Sequence, residues 1–141
     1  VRWPLPPSTP TSRGLACLRQ APGEPPGTFQ PESAAGLDER VAFLRERAGA
    51  RITGIELNML VQQVVVAEDP TAGLREWAAR VPHLDLSPDQ LTGAPQVPAG
   101  TVEQIADRVR RRRERYGFSY FAVFGPAMET FAPVLEALRG N

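Results

Sequence analysis

The chain of 141 residues has the length of one ordinary domain, with 42% apolar residues, 16 acidic and 16 basic side chains and a formal net charge of zero. Zero net charge excludes a global field that would steer it toward nucleic acid or a membrane surface. The one cysteine, Cys17, excludes an internal disulfide and a metal site built on several thiolates.

Apolar runs fall short of the ~20 residues of a membrane helix, and the first residues lack the charged-then-apolar pattern of a signal peptide. The expectation is a soluble cytoplasmic protein. All 16 basic residues are arginine, a compositional bias to which no function is attached.

Eight of the 15 prolines fall in the first 31 residues. Residues 1–36 show neither helical nor strand period, so they read as a disordered Pro-rich segment and the packable domain as 37–141. Within the segment, Pro4-Leu5-Pro6-Pro7 has the composition of a polyproline ligand, although a plain linker is the commoner use of such a stretch.

From Leu37 the pattern changes. Leu37, Val41, Leu44 and Ala48 recur at helical spacing up to Gly49, giving an amphipathic helix. Ile55 to Val66 is the strongest strand signal, with Ile55, Leu57, Met59 and Val61 on one face and Glu56, Asn58, Leu60 and Gln62 on the other. The doubled Gln62-Gln63 predicts a bulge or the end of the sheet register. Asp69-Pro70-Thr71 opens a helix over Ala72 to Val81, and Ser87-Pro88-Asp89-Gln90 forms a capping box ahead of a short helical turn. Ala94 to Gly100 carries two prolines and reads as a weak, edge-like strand.

The last stretch is the best punctuated. Thr101 and Gln104 make a capping box, Val102, Ile105, Ala106, Val109 and Tyr116 form an apolar stripe, and Gly117 closes a helix over Val102 to Tyr116. Phe118 to Gly125 is apolar with little alternation, so it reads as a parallel strand covered on both faces. Pro126 starts a final helix in which Met128, Phe131, Ala132, Leu135 and Leu138 align, with a kink or restart expected at Pro133. Strands alternating with helices imply parallel pairing through right-handed crossovers. Three βα units make a small open sheet or part of a (β/α)₈ barrel, and periodicity does not separate the two.

Three stretches, Gln96 to Ala106, Arg113 to Tyr120 and Phe131 to Leu135, resemble the C-terminal part of luciferase-like oxidoreductases, the family of luciferase-like monooxygenases. The likeness is greatest to the branch that uses the deazaflavin coenzyme F420. It covers Leu37 to Gly140, about the last third of a family member, and rests on the order of several weak motifs. The fold it implies is α/β: a partial (β/α)₈ TIM barrel of the last three βα units, with Ile55 to Val66 as strand six, Gln96 to Gly100 as strand seven and Phe118 to Phe124 as strand eight. The family's early strands and its glycine-rich loop have no counterpart here. A truncated or frame-shifted product, inactive alone, is therefore expected.

In such a barrel the reacting groups lie at the C-terminal ends of strands. The candidate cofactor-binding residues are Asn58, Gln62, Gly100 and Gly125, the cofactor coenzyme F420 or alternatively FMN, and no residue is assigned as catalytic or metal-binding. In the functional reading, Asn58 and Gln62 bond a flavin-like ring or a small organic substrate and Gly125 permits its close approach. The plainer reading makes Asn58 and Glu56 satisfied polar contacts and Gly125 a turn, and it weighs more. His83, the one histidine, reads as a solvated loop residue.

The cluster Arg108, Arg110, Arg111, Arg112, Arg113 and Arg115 reads as a solvated outer helix face, with Asp107 paired to Arg111 and Glu114 to Arg110. Nucleic-acid binding through it is the weakest alternative. The stronger alternative is a non-enzymatic module whose open strand edges pair with a partner or a second copy.

Overall fold

The helices start and stop where short polar side chains and glycines satisfy their free ends. In the computed structural model, which describes residues 11–15 and 17–139, α1 spans Ala34–Ala48, with the Ser33 hydroxyl accepting from the Gly36 amide at 3.1 Å. Gly49, with φ of 52°, ends it. α2 (Pro70–Ala78) is capped by Asp69, whose carboxylate accepts from the Thr71 and Ala72 amides. α3 (Pro88–Gly93) opens on the Ser87/Gln90 capping box. α4 (Val102–Tyr116) begins at the Thr101/Gln104 box and ends at Gly117 in the left-handed conformation, with φ of 81°. α5 (Met128–Arg139) continues through Pro133 without a restart.

Three parallel strands form the main sheet in the order β1 (Thr11–Gly14), β4 (Ile55–Val61), β7 (Phe118–Val123). In sequence between β1 and β4, and forming a sheet of its own, comes an antiparallel hairpin, β2 (Leu18–Gln20) with β3 (Phe29–Pro31). A separate parallel pair joins β5 (Val65–Val66) to β6 (Ala99–Gly100).

One core lies between the sheet and the helices. Leu57, Met59 and Val61 of β4 and Phe118 and Phe121 of β7 meet Leu37 and Val41 of α1, Ile105 and Val109 of α4, and Phe131 and Val134 of α5. A second, smaller core gathers Leu74, Leu86, Leu91, Val97 and Ala99 around α2, α3 and β6.

Three expectations are corrected. The described part of 1–36 is folded rather than disordered: β1 extends the sheet, and Cys17 and Ala21 are buried. Its prolines sit where no ladder amide is needed, with Pro22, Pro25 and Pro26 in the β2–β3 turn. Gln20 holds that turn, donating to the Pro25 carbonyl at 2.9 Å and accepting from the Gly27 amide at 3.0 Å. The Pro4 to Pro7 motif lies outside the described residues.

Second, the weak strand does not enter the main sheet. β4 pairs directly with β7, and β6 pairs with β5 instead, so the order differs from the consecutive strands six, seven and eight of a barrel. Third, β7 is covered on one face only. A bulge at Ser119 separates the Leu57/Phe118 and Asn58/Tyr120 pairs, turning Phe118 and Phe121 inward and Tyr120 outward.

Candidate functional site

Alternation along β4 sends Glu56, Asn58 and Leu60 to the face opposite the helical core, and the parallel register sets Tyr120 beside Asn58 and Ala122 beside Leu60. On the other side of Asn58 stands Gly14 of β1. A Cβ at Gly14 would lie 3.2 Å from the Asn58 carbonyl oxygen Oδ1, so the glycine makes room for the carboxamide. Glu56 is buried at the N-terminal end of this face, whereas Leu60 and Tyr120 are 38% and 36% exposed. The face thus offers a carboxylate, a carboxamide and a phenol in a row, with apolar surface above them.

At the C-terminal ends of the strands, the Phe124 amide donates to the Val61 carbonyl at 2.8 Å, keeping β4 and β7 side by side to their last residues. Gln62 and Gly125 each follow directly. Of the four candidate cofactor residues, Asn58 therefore belongs to this sheet, and Gln62 and Gly125 lie just past the ends of β4 and β7. Gly100 lies elsewhere: it pairs with Val66, and its carbonyl accepts from the Ala67 amide at 3.0 Å. Its φ is 131°, and a Cβ there would sit 2.5 Å from Gln104 Oε1. A backbone demand accounts for glycine at this position.

His83 sits in its loop with Nδ1 2.7 Å from Glu24 Oε1 and a left-handed φ of 65°. Among the described residues no group of three or more His, Cys, Asp or Glu side chains is placed to hold a metal ion.

A buried polar layer went unseen in the sequence. The Gln96 carbonyl accepts from both the Gln62 and Gln63 amides, at 2.9 and 3.3 Å, which ends β4 and frees the chain to start β5. The Gln96 side chain is fully buried and finds no hydrogen bond of good geometry among the described residues. Its neighbour is the Cys17 thiol, which donates to the Leu15 carbonyl at 3.2 Å. Burial pushes that thiol up to about 11, against Gln96 and the Arg40 and Arg112 guanidiniums, which pull it down. Glu32, also buried, pairs with Arg40 at 2.7 Å and lies 3.8 Å from Arg19, which itself bonds Asp85.

The arginine helix departs from a uniformly solvated face. Asp107 pairs with Arg110 rather than Arg111, at 2.8 Å, and Arg110 also reaches the Ala137 carbonyl. Arg115 pairs with Asp38 of α1. Arg112 is buried against the carbonyls of Ala94, Pro95 and Thr92, at 3.1, 3.3 and 3.5 Å, and desolvation pulls its guanidinium down to about 10. No helix among the described residues is long and apolar enough to cross a membrane.

Fold and site together define an open parallel α/β sheet, helices on one face and a partly uncovered polar and aromatic surface on the other. No family model and no curated protein matches the chain. Among solved structures it is similar to a long-chain alkane monooxygenase, LadA, at 15% identity and a TM-score of 0.47 over 76% of this chain and 34% of that one. It is also similar to the monooxygenase RslO1 from Streptomyces bottropensis, at 13% identity and a TM-score of 0.43 over 91% of this chain and 41% of that one. The chain thus spans well under half the length of either.

Proposed function

We propose that the chain is the C-terminal portion of a luciferase-like oxidoreductase whose complete form moves a hydride between coenzyme F420, or FMN, and a small organic substrate in the cytoplasm. The observation that carries this reading is the uncovered face of β4 and β7. A parallel sheet with an apolar, helix-covered side and a polar, aromatic bare side is the arrangement of a barrel wall seen alone. The motif resemblance in Gln96 to Leu135 supports the family.

The carboxamides of Asn58 and Gln62 and the Tyr120 hydroxyl are groups suited to the polar edge of a flavin-like ring. Neither β4 nor β7 places a cation on that face to meet a phosphate, so the residues present fit only part of such a cofactor. The cofactor would supply the hydride chemistry and the protein its orientation. This chain alone is expected to hold neither coenzyme.

Titration with F420 and with FMN, followed by fluorescence, tests the empty site: the expected result is no saturable signal, and micromolar binding by the isolated chain would overturn it. The genomic sequence just upstream tests the family, since an absence of luciferase-like strands one to five there in any frame removes the proposal's basis.

A second reading, a self-associating module, is favoured by β7 having β4 as its one neighbour among the described residues. Beside that edge lies a cavity of about 440 Å³ lined by Tyr120, Phe121, Met128, Phe131 and Leu135. An unpaired edge next to apolar surface is a template for a second copy. Sedimentation from low to high protein concentration decides it: a monomer throughout rules out the module.

A further inference from the structure

We infer that the recess between α3, α4 and the start of α1 is a binding site for a phosphate group, either free phosphate or the phosphomonoester of a small metabolite. Arg108, Arg111, Arg112 and Arg115 are three or four residues apart along α4 and so share one face. Together with Thr92 and Gly93 they line a cavity of about 160 Å³. At ~30 Å³ per water that is space for roughly five waters, enough for one tetrahedral oxyanion and too little for a nucleic-acid strand.

The charges in this recess are not balanced by the described residues. Among the described residues, only Arg115 of these four is answered by a carboxylate, Asp38. Arg112 and Arg108 are held by carbonyl oxygens, Arg108 donating to Ala99 at 2.8 Å. Carbonyls satisfy the N–H groups and leave the positive charge in place. The ionisable neighbours acting on Arg112 are Arg108, Tyr116 and Cys17, none of them a carboxylate. Arg111 makes no hydrogen bond or ion pair among the described residues, which leaves its whole fork of donors available.

Four like charges within two turns destabilise a helix, and a buried guanidinium without an anion is costly because it has left water with no opposite charge to meet it. Helix α4 tolerates both. An anion seated here would relieve both, and a guanidinium fork matches phosphate geometry better than it matches a halide. The N-terminus of α1 adds nothing, because the Glu32 carboxylate already accepts from the Ser33 amide at 2.9 Å. The site lies on the helix side of the sheet, apart from Asn58 and Tyr120, so it does not depend on the oxidoreductase reading.

The test is calorimetric titration of the whole chain with inorganic phosphate, with glycerol phosphate and with a short single-stranded DNA, each at matched ionic strength in sodium chloride. One phosphate per chain is expected, with a raised melting temperature. Tighter binding of glycerol phosphate points to a metabolite, and equal binding to free phosphate. Arg111→Gln, at an exposed position, should weaken binding roughly tenfold or more, the loss of one charge-assisted contact. Arg113→Gln, which removes the same charge outside the recess, should leave it unchanged. Equal stabilisation by chloride, wild-type affinity in Arg111→Gln, or a DNA affinity exceeding both small ligands and falling steeply with salt would each overturn the inference.

Discussion

Replacing Gly100 by alanine separates a structural from a ligand-binding role at that position. At φ of 131° an L side chain is strained by roughly 1–3 kcal/mol. The new methyl would stand 2.5 Å from Gln104 Oε1, so the glutamine has to leave and gives up its 3.0 Å bond from the Thr101 amide. That loss is worth about 1 kcal/mol, and the two terms give about 2–4 kcal/mol for Gly100→Ala. Gln104→Ala alone loses only the cap bond, about 1 kcal/mol. Because Gly100→Ala has already broken that bond, the double variant should be no less stable than Gly100→Ala itself, a coupling of about 1 kcal/mol. Urea unfolding followed by circular dichroism measures all three against wild type. Additive losses, or a Gly100→Ala chain as stable as wild type, would refute the backbone account and return the glycine to the cofactor reading.

Met59 is buried in the main core and the adjacent Leu60 is on the bare face, so Met59→Ala should cost ~2–5 kcal/mol and Leu60→Ala less than ~1 kcal/mol in urea midpoint experiments. Comparable losses would mean that something covers the bare face. The Cys17 thiol, raised from its ordinary 9.0 to about 11, stays protonated in the folded chain after the unfolded chain has begun to ionise. Its contribution to stability is complete below pH 9 and is lost as the pH rises through 11. Wild type should therefore lose stability relative to Cys17→Ala from pH 9 upward. The difference between the two chains isolates the thiol from Tyr116, also raised, and from Arg112, whose lowered pKa acts with the opposite sign. Parallel pH curves would dismiss the shift.

Helix α4 was legible to the residue because its boundaries are written locally: Thr101 and Gln104 at one end, Gly117 at the other, and an apolar stripe between. The break at Gln62-Gln63 was legible for a similar reason, since β4 ends at Val61. Residues 11–36 were misread because β1 is held by backbone pairing to β4, more than forty positions away, which no local period records. The helix α1 start was placed three residues late, as Ser33-Ala34-Ala35-Gly36 has the composition of a linker. Of the candidate site, Asn58 lies on the face that simple alternation gives it, whereas Gln62 falls just past the last residue of β4. Tyr120 was missed as the neighbour of Asn58 because its orientation depends on the bulge at Ser119. Arg112 was read as solvated because five other arginines around it share its helix and only tertiary contact distinguishes it.

The unexpected order of the sheet and the burial of Arg112 have one origin. Pro95 and Pro98 remove two amides from the segment that a barrel would use as its seventh strand, so that segment cannot form a full ladder between β4 and β7. Its carbonyls still require donors. Gln62 and Gln63 supply their amides to Gln96, and Arg112 supplies its guanidinium to Thr92, Ala94 and Pro95. Side-chain bonds from α4 thus replace the missing strand pairing, and β7 closes directly onto β4. Bonds from a charged donor contribute about 1.5–3 kcal/mol each, but the desolvation of the guanidinium costs several, so the arrangement fixes position more than it adds stability. An oxyanion beside Arg112 would shift that balance, tightening the loop that carries Gln96 and, through its carbonyl, the strand end that carries Gln62.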